Sequence, residues 1–326
     1  MKSALTENIS HLAPDWTAKI KQSNVIKVYI TMVTLYLLSG ILETDYFSMD
    51  HIMQTLVIAS FLGIVAMGQT LVVLTGGIDL SVAYALNLGA VMMTQITSEM
   101  GGAAAAVIVI ITGLMIGLGN GLGVAYLKIS PMIMTLAMNS ILKSVTYVYT
   151  DGTPKGSAPE WLRFLGTGSV LGIKAAVIVW IILAVIVLVL LSKTAFGRKI
   201  YALGNSESTA YLSGINNKRV IICLYALSGM FAAIAGMMMT GFSGLAYLGM
   251  GDALQLSSVA AVVIGGTSIL GGKGGYSGTM AGAVIIYLLL SILQVLDMKD
   301  AGRQIIYGMV ILVVLFIYGR QKDARA

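Results

Sequence analysis

The sequence predicts an all-helical integral membrane protein of about ten transmembrane helices, with an internal inverted repeat and both termini in the cytoplasm. Three observations carry this reading. Of the 326 residues, 57% are hydrophobic and 10% charged, against roughly 45–50% and about 25% in soluble domains. Apolar runs of spanning length recur along nearly the whole chain. Lys and Arg then fall mainly on one side of the resulting alternation. So few charges could not cover the surface of a soluble globule this large. A soluble enzyme, a disordered chain and a disulfide scaffold are thereby excluded. A single cysteine, Cys223, leaves no internal disulfide and no cysteine-based metal site. The two histidines, His11 and His51, lie outside the main apolar runs.

Taken in order, residues 1–24 are polar and of mixed charge, with no early apolar core of the kind a secretory signal carries. They read as a cytoplasmic segment ahead of a transmembrane domain over 25–319. Its first span is Val25 to Leu42. Further runs follow at 52–74, 82–96, 103–126, 131–148, 173–192, 220–240, 254–270, 279–296 and 304–319, and 320–326 is a cytoplasmic tail. Each run approaches the roughly 20 apolar residues that cross a bilayer. With the N-terminus inside, about 14 Lys and Arg face the cytoplasm and about 6 face outward, while about 5 acids lie inside and about 9 outside. The net charge of +6 is thus an orientation signal. It does not mark nucleic-acid binding, for which no basic stretch interleaved with aromatics is present.

Residues 72–81 (VVLTGGIDLS) and 262–271 (VVIGGTSILG) echo one another. Gly-interrupted hydrophobic segments at corresponding places in two halves point to an internal repeat and a transport pathway. Two loops are long: 149–172, expected outside, and 193–219, expected in the cytoplasm. Trp161 in the first reads as an interfacial anchor. Within the second, Glu207 to Leu212 predicts a short helix, with Asn205 or Ser206 as N-cap and Gly214 at the reversal. Such a helix lying between two spans offers a surface to a soluble partner; a plain connector is the alternative.

The segment Gly197 to Ile215 (GRKIYALG…LSGI) resembles the coupling loop of ribose-type ABC sugar permeases. So do Gly68 to Ser81 (GQTLVVLTGGIDLS), Ala260 to Gly274 (AAVVIGGTSILGGKG) and Tyr149 to Pro154 (YTDGTP), in the family's order across most of the chain. The resemblance implies the membrane subunit of a bacterial monosaccharide importer in the inner membrane. It implies a second permease subunit, identical or related, a cytoplasmic ATPase carrying ATP and Mg, and a periplasmic sugar-binding protein. It also implies that Gly204, Asn205, Glu207, Ser208, Thr209, Ala210, Leu212, Ser213 and Gly214 meet the ATPase. The chain departs from the family where Gly-Asn-Ser-Glu-Ser-Thr (204–209) replaces the usual Gly-Gly-Asn-Glu-Ala-Ala, and where Ser257 stands near a customary acid.

No G-x-x-x-x-G-K-[ST] sequence occurs; the nearest lookalike, ending Gly272-Lys273-Gly274, has Thr267 in place of the first Gly. ATP hydrolysis therefore belongs to another chain, no nucleophile–base–acid constellation is visible, and neither cofactor nor metal is expected here. Twenty methionines without Cys or His beside them indicate flexible helix packing. Asp79 lies between two apolar runs, either on the solute path or as the cap of the next helix; the turn-like GGIDLS suits the cap. Gln69, Asn87, Asn120, Asn139 and Gln294, with Thr267 and Ser268 in the second Gly-rich break, are candidates to line the path, or amide contacts between helices. An ion-coupled secondary transporter is the alternative function, and would need a buried acid such as Asp79. A membrane-embedded enzyme would need a site that the sequence does not offer.

Overall fold

The computed structural model describes residues 24–295 and, beyond them, Met298, Gly302, Ile305, Gly308, Met309 and Leu312. The expected cytoplasmic N-terminal segment, almost all of the expected span at 304–319 and the 320–326 tail lie outside the described residues.

Among the described residues twelve α-helices with assigned bounds follow one another: α1 (Asn24–Leu42), α2 (Met49–Val73), α3 (Val82–Met100), α4 (Gly102–Ala125), α5 (Pro131–Thr150), α6 (Glu160–Thr167), α7 (Ala175–Lys193), α8 (Ala195–Asn205), α9 (Glu207–Leu212), α10 (Asn217–Ser243), α11 (Asp252–Ile264) and α12 (Tyr276–Val295). A two-residue antiparallel ladder, β1 (Ser169–Val170) with β2 (Ile173–Lys174), joins α6 to α7. Six of the described helices are long and apolar enough to cross a membrane: α1, α2, α4, α7, α10 and α12. The predicted runs at 82–96 and 131–148 form α3 and α5, which have the length but carry polar residues such as Asn87, Gln95, Asn139 and Lys143. The predicted run at 254–270 is a helix only to Ile264, because the glycines that follow turn the chain.

Helix ends follow local chemistry. The Ser48 side chain accepts from His51 N, Thr194 from Gly197 N and Asn216 from Arg219 N, each satisfying an amide that the helix leaves unpaired. Pro131 opens α5, where its missing N–H costs nothing.

Helix α10 is the hub, with α4, α3 and α2 all packed on it. Gly113, Gly117 and Gly121 form one ridge of α4 at four-residue spacing. A Cβ at Gly117 would lie 2.0 Å from the carbonyl oxygen of Tyr225, so only glycine lets the two backbones approach. On the other side of α2, Trp180 Nε1 of α7 donates to the Tyr276 hydroxyl (2.7 Å), which donates to Gly63 O (3.0 Å), tying α7, α12 and α2 together.

The two echoing segments fold alike. After α2, Gly76 N bonds Val73 O and Gly77 N bonds Val72 O; after α11, Gly266 N bonds Val263 O and Thr267 N bonds Val262 O. Both are the 6→1 and 5→2 pattern of a Schellman turn, with Gly76 (φ 79°) and Gly266 (φ 86°) at the left-handed position. The two turns also touch: Gly272 N donates to Leu74 O at 2.9 Å.

Candidate functional site

Residues 193–219 fold as α8 and α9 at one end of the bundle, here termed the loop end. The predicted short helix is present as α9, capped by Ser206, whose Oγ accepts from Thr209 N (3.2 Å), and followed by Gly214 at φ 80°. One face points outward. Glu207, Ser208, Thr209, Ser213 and Gly214 are exposed, Tyr211 is 72% exposed and Leu212 83%, while Ala210 is buried against the bundle. Two large side chains standing in solvent on a capped helix make a surface suited to a partner. Tyr211 was not among the residues expected there. Its position on the same face as Ser208, three residues before it, is the signal that could have found it.

Helix α8 faces the other way and reaches both glycine turns. Gly204 is so close to Leu74 that a Cβ would lie 1.9 Å from the Leu74 carbonyl oxygen and 2.5 Å from Gly272 N. The Tyr201 hydroxyl donates to Gly274 O at 2.9 Å. Burial pushes the Tyr201 phenol up from its ordinary value, so it stays a neutral donor. Gly204 and Asn205, read from the sequence as partner contacts, thus sit at the junction between the loop and the two turns. Here α9 presents the surface and α8 the linkage.

Between α9, the start of α10, the α4–α5 connection and the turn after α2 lies an open cavity of about 1370 Å³. Glu207, Tyr211 and Leu212 form one wall, Lys128 and Lys218 add positive charge, and Tyr225 lies at its inner side. The Lys218 amine rests 4.4 Å from the centroid of the Tyr126 ring.

Behind Tyr225 is the Asp79 network. Oδ1 of Asp79 accepts from Ser81 N (2.9 Å) and Ser81 Oγ (2.6 Å); Oδ2 accepts from Ser228 Oγ of α10 (2.8 Å). Asn120 Nδ2 of α4 donates to the same Ser81 hydroxyl at 2.8 Å. Ser228 lies eleven residues into α10, about 16 Å from the loop end at 1.5 Å per residue, so the network is deep in the bundle. Ser81, not Asp79, occupies the N-cap position of α3. The carboxylate instead closes the preceding turn and fastens it to α10, combining a local turn with a contact between helices.

The other expected path residues are dispersed. Asn87 pins the loop before α11, donating to Tyr247 O and accepting from Gly249 N. Asn139 accepts from Tyr84 N at 3.3 Å, and Thr135, one turn earlier on α5, accepts from Leu80 N at 3.0 Å, so α5 supplies caps for the start of α3. Thr267 Oγ1 accepts from Gly275 N and Ser268 Oγ from Leu270 N within the second turn. Gln69 is buried in α2 with neither amide atom hydrogen-bonded among the described residues. Gln294 lies in α12, its side chain outside the described residues. Asp79 and Asn120 are brought together through Ser81; Asn87, Asn139, Thr267 and Ser268 are not part of that network.

Apolar spanning helices, two glycine-broken connections in contact, and one loop bearing on both describe a polytopic membrane transport protein. Residues 51–315 match the family described as branched-chain amino acid transport system / permease component, and the chain belongs to that family. It is 36% identical over 292 residues to the ribose import permease protein of Haemophilus influenzae, covering 88% of this chain and 90% of that one. Against the ribose import permease protein of Bacillus subtilis the identity is 36%, covering 91% and 92%. The autoinducer 2 import system permease protein of Shigella flexneri is 32% identical, covering 94% and 90%. No solved structure matches. The protein is a multi-pass component of the inner membrane.

Proposed function

We propose that the chain is the membrane-spanning subunit of an ATP-driven importer that moves a monosaccharide or sugar-like small molecule into the cytoplasm by alternating access. The family description names amino acid transport, but the relatives that match over nine-tenths of their length are named for import of ribose and of autoinducer 2, which favours the sugar-like class. On this reading the chain has about ten spans in two inverted repeats with both termini cytoplasmic, α8 and α9 lie in the cytoplasm, and residues 149–172 face outward. It pairs with a second permease subunit. A cytoplasmic ATPase supplies ATP, Mg and the hydrolytic chemistry, and a periplasmic binding protein delivers the solute.

The observation that carries the reading is the loop end. A partner seated on Tyr211 and Leu212 would move α9. Helix α8 continues directly into α9 and is wedged on Leu74 and Gly272, so that movement reaches both turns. A carboxylate already occupied by Ser81 and Ser228 supports a structural Asp79 over an ion-coupling one.

Vesicles containing the permease, its ATPase and the binding protein test this. Uptake of radiolabelled D-ribose or autoinducer 2 is expected to require ATP and to survive an uncoupler; uptake without ATP that collapses with the uncoupler would overturn the proposal. Glu207→Trp and Gly214→Trp are expected to leave the protein in the membrane while separating ATP hydrolysis from uptake. Normal coupling in both would mean that the partner docks elsewhere.

A further inference from the structure

Among the described residues, helix α5 packs mainly on α3 and α4 and leaves most of its circumference uncovered, and the last three turns of that uncovered surface have two unlike halves. Over these turns one half carries Ser140, Lys143, Ser144 and Tyr147 and the other Ile141, Val145 and Val148, all exposed; nearer Pro131 the first half carries exposed Met132, Ile133 and Leu136 instead. Position 143 lies twelve residues from Pro131 and seven from Thr150, about 18 Å and 10 Å from the two helix ends. The Lys143 amine has an aromatic neighbour on α3. It rests 5.6 Å from the centroid of the Tyr84 ring, whose own N–H is paired with Asn139 one turn below. On the other side of Tyr84 stands α11. Gly251 presses on Ala83, a Cβ there falling 2.1 Å from the Ala83 carbonyl oxygen, which brings the exposed Asp252 beside Tyr84. Tyr147, also exposed, lies one turn beyond Lys143 on the same face of α5. Neither Lys143 nor Asp252 has an ion-pair partner among the described residues.

An ammonium about 10 Å inside a membrane helix, with a carboxylate beside the same ring, is strongly disfavoured against lipid, and such groups face water or each other across a pathway. The two serines of the same half bond back to their own helix, Ser140 to Leu136 O and Ser144 to Ser140 O, so they tolerate either setting; the charged residues do not.

The geometry points to Lys143, Asp252 and Tyr147, grouped around Tyr84, as a solute-contact site in a water-filled passage beside the last three turns of α5. The site suits a neutral polyhydroxylated molecule. The ammonium donates to hydroxyl oxygens, the carboxylate accepts from hydroxyl hydrogens, and the Tyr147 ring covers a C–H face. The identity of the solute rests on the sugar-import reading; the existence of the passage does not.

The chain has one cysteine, Cys223, so a Cys223→Ala background isolates single introduced thiols. In membranes containing the assembled complex, Lys143→Cys and Asp252→Cys are expected to react with a charged, membrane-impermeant thiosulfonate, and Val145→Cys is not. Reaction at 145 equal to that at 143, or none at 143, overturns the passage. In the vesicle assay with labelled D-ribose, Lys143→Met and Asp252→Asn are each expected to lower uptake about tenfold or more, the effect of one lost hydrogen bond to a charged group, and Val145→Cys to leave it unchanged. Normal uptake in both charge variants overturns the contact site. If the unmodified complex imports no labelled solute, the sugar reading fails and the thiol labelling still decides the passage.

Discussion

Gly204→Ala measures how tightly the loop is joined to the transmembrane turns. The new Cβ would sit 1.9 Å from Leu74 O, where ordinary contact begins at 3.4 Å. The end of α8 and the turn must therefore separate by 3.4 − 1.9, about 1.5 Å. Leu74 O also accepts from Gly272 N at 2.9 Å, and a shift of that size strains or breaks this link between the turns. Overpacking costs about 1–3 kcal/mol and the hydrogen bond about 0.5–1.5 kcal/mol. Against this, Ala improves helix propensity by about 1 kcal/mol, leaving a net loss of about 0.5–3.5 kcal/mol. The complex with its ATPase, reconstituted in vesicles, should import solute several-fold more slowly per ATP hydrolysed, and the detergent-solubilised variant should unfold at lower denaturant. Gly214→Ala is the control: Gly214 is at φ 80° with nothing within 4 Å of its added Cβ, so about 1 kcal/mol of backbone strain arises without moving α8. Wild-type stability and wild-type coupling in Gly204→Ala would refute the wedge.

Asp79→Leu leaves three buried donors without an acceptor and should destabilise the protein by about 3 kcal/mol or more, whereas Asp79→Asn keeps most of the geometry and should cost less; equal denaturation midpoints for the two would show that the carboxylate is not the fastening. Gly117→Leu should separate α4 from α10 and cost more than about 3 kcal/mol. At Gly119 the nearest atom to an added Cβ is the end of Met138 at 3.3 Å, so Gly119→Ala should be near neutral in the same unfolding assay. Trp180→Phe deletes the donor to Tyr276 and leaves a gap, for about 1–2 kcal/mol; an unchanged unfolding curve would remove the α7–α12–α2 tie from the structural account.

What could be read from the chain alone follows from the range of the interactions concerned. The spans at 25–42, 52–74, 103–126 and 220–240 depend on composition over consecutive residues, and they lie within a few residues of α1, α2, α4 and α10. The α9 helix and its caps depend on four neighbouring side chains, and were equally legible. The end of α11 at Ile264 was not, because an apolar run continues past it and only the paired glycines turn the chain. Asp79 shows the limit more sharply. Its bond to Ser81 is local, but it closes the turn and does not cap α3 as the sequence suggests; its bond to Ser228 joins residues 149 apart in sequence, and no spacing rule announces it. Gly204 was assigned to the partner surface because its motif places it in the loop. Its packing on Leu74 and Gly272 needs both turns in three dimensions. Lys143 lies within the predicted 131–148 run and draws no reading of its own, since nothing in its segment says that Tyr84 and Asp252 converge on it.

The central position of α10 also sets a schedule for synthesis. Asp79 leaves the ribosome 149 residues ahead of Ser228, on the order of 7–30 s at about 5–20 residues per second. Throughout that interval the carboxylate of the α2–α3 turn, and from residue 121 onward the glycine ridge of α4 as well, exist without the helix that binds the one and covers the other. The nascent first half must therefore be sheltered from lipid by water or by the insertion machinery until α10 arrives. A pause or truncation before residue 217 would then strand an exposed acid and a bare ridge of glycines, a product suited to rapid proteolysis.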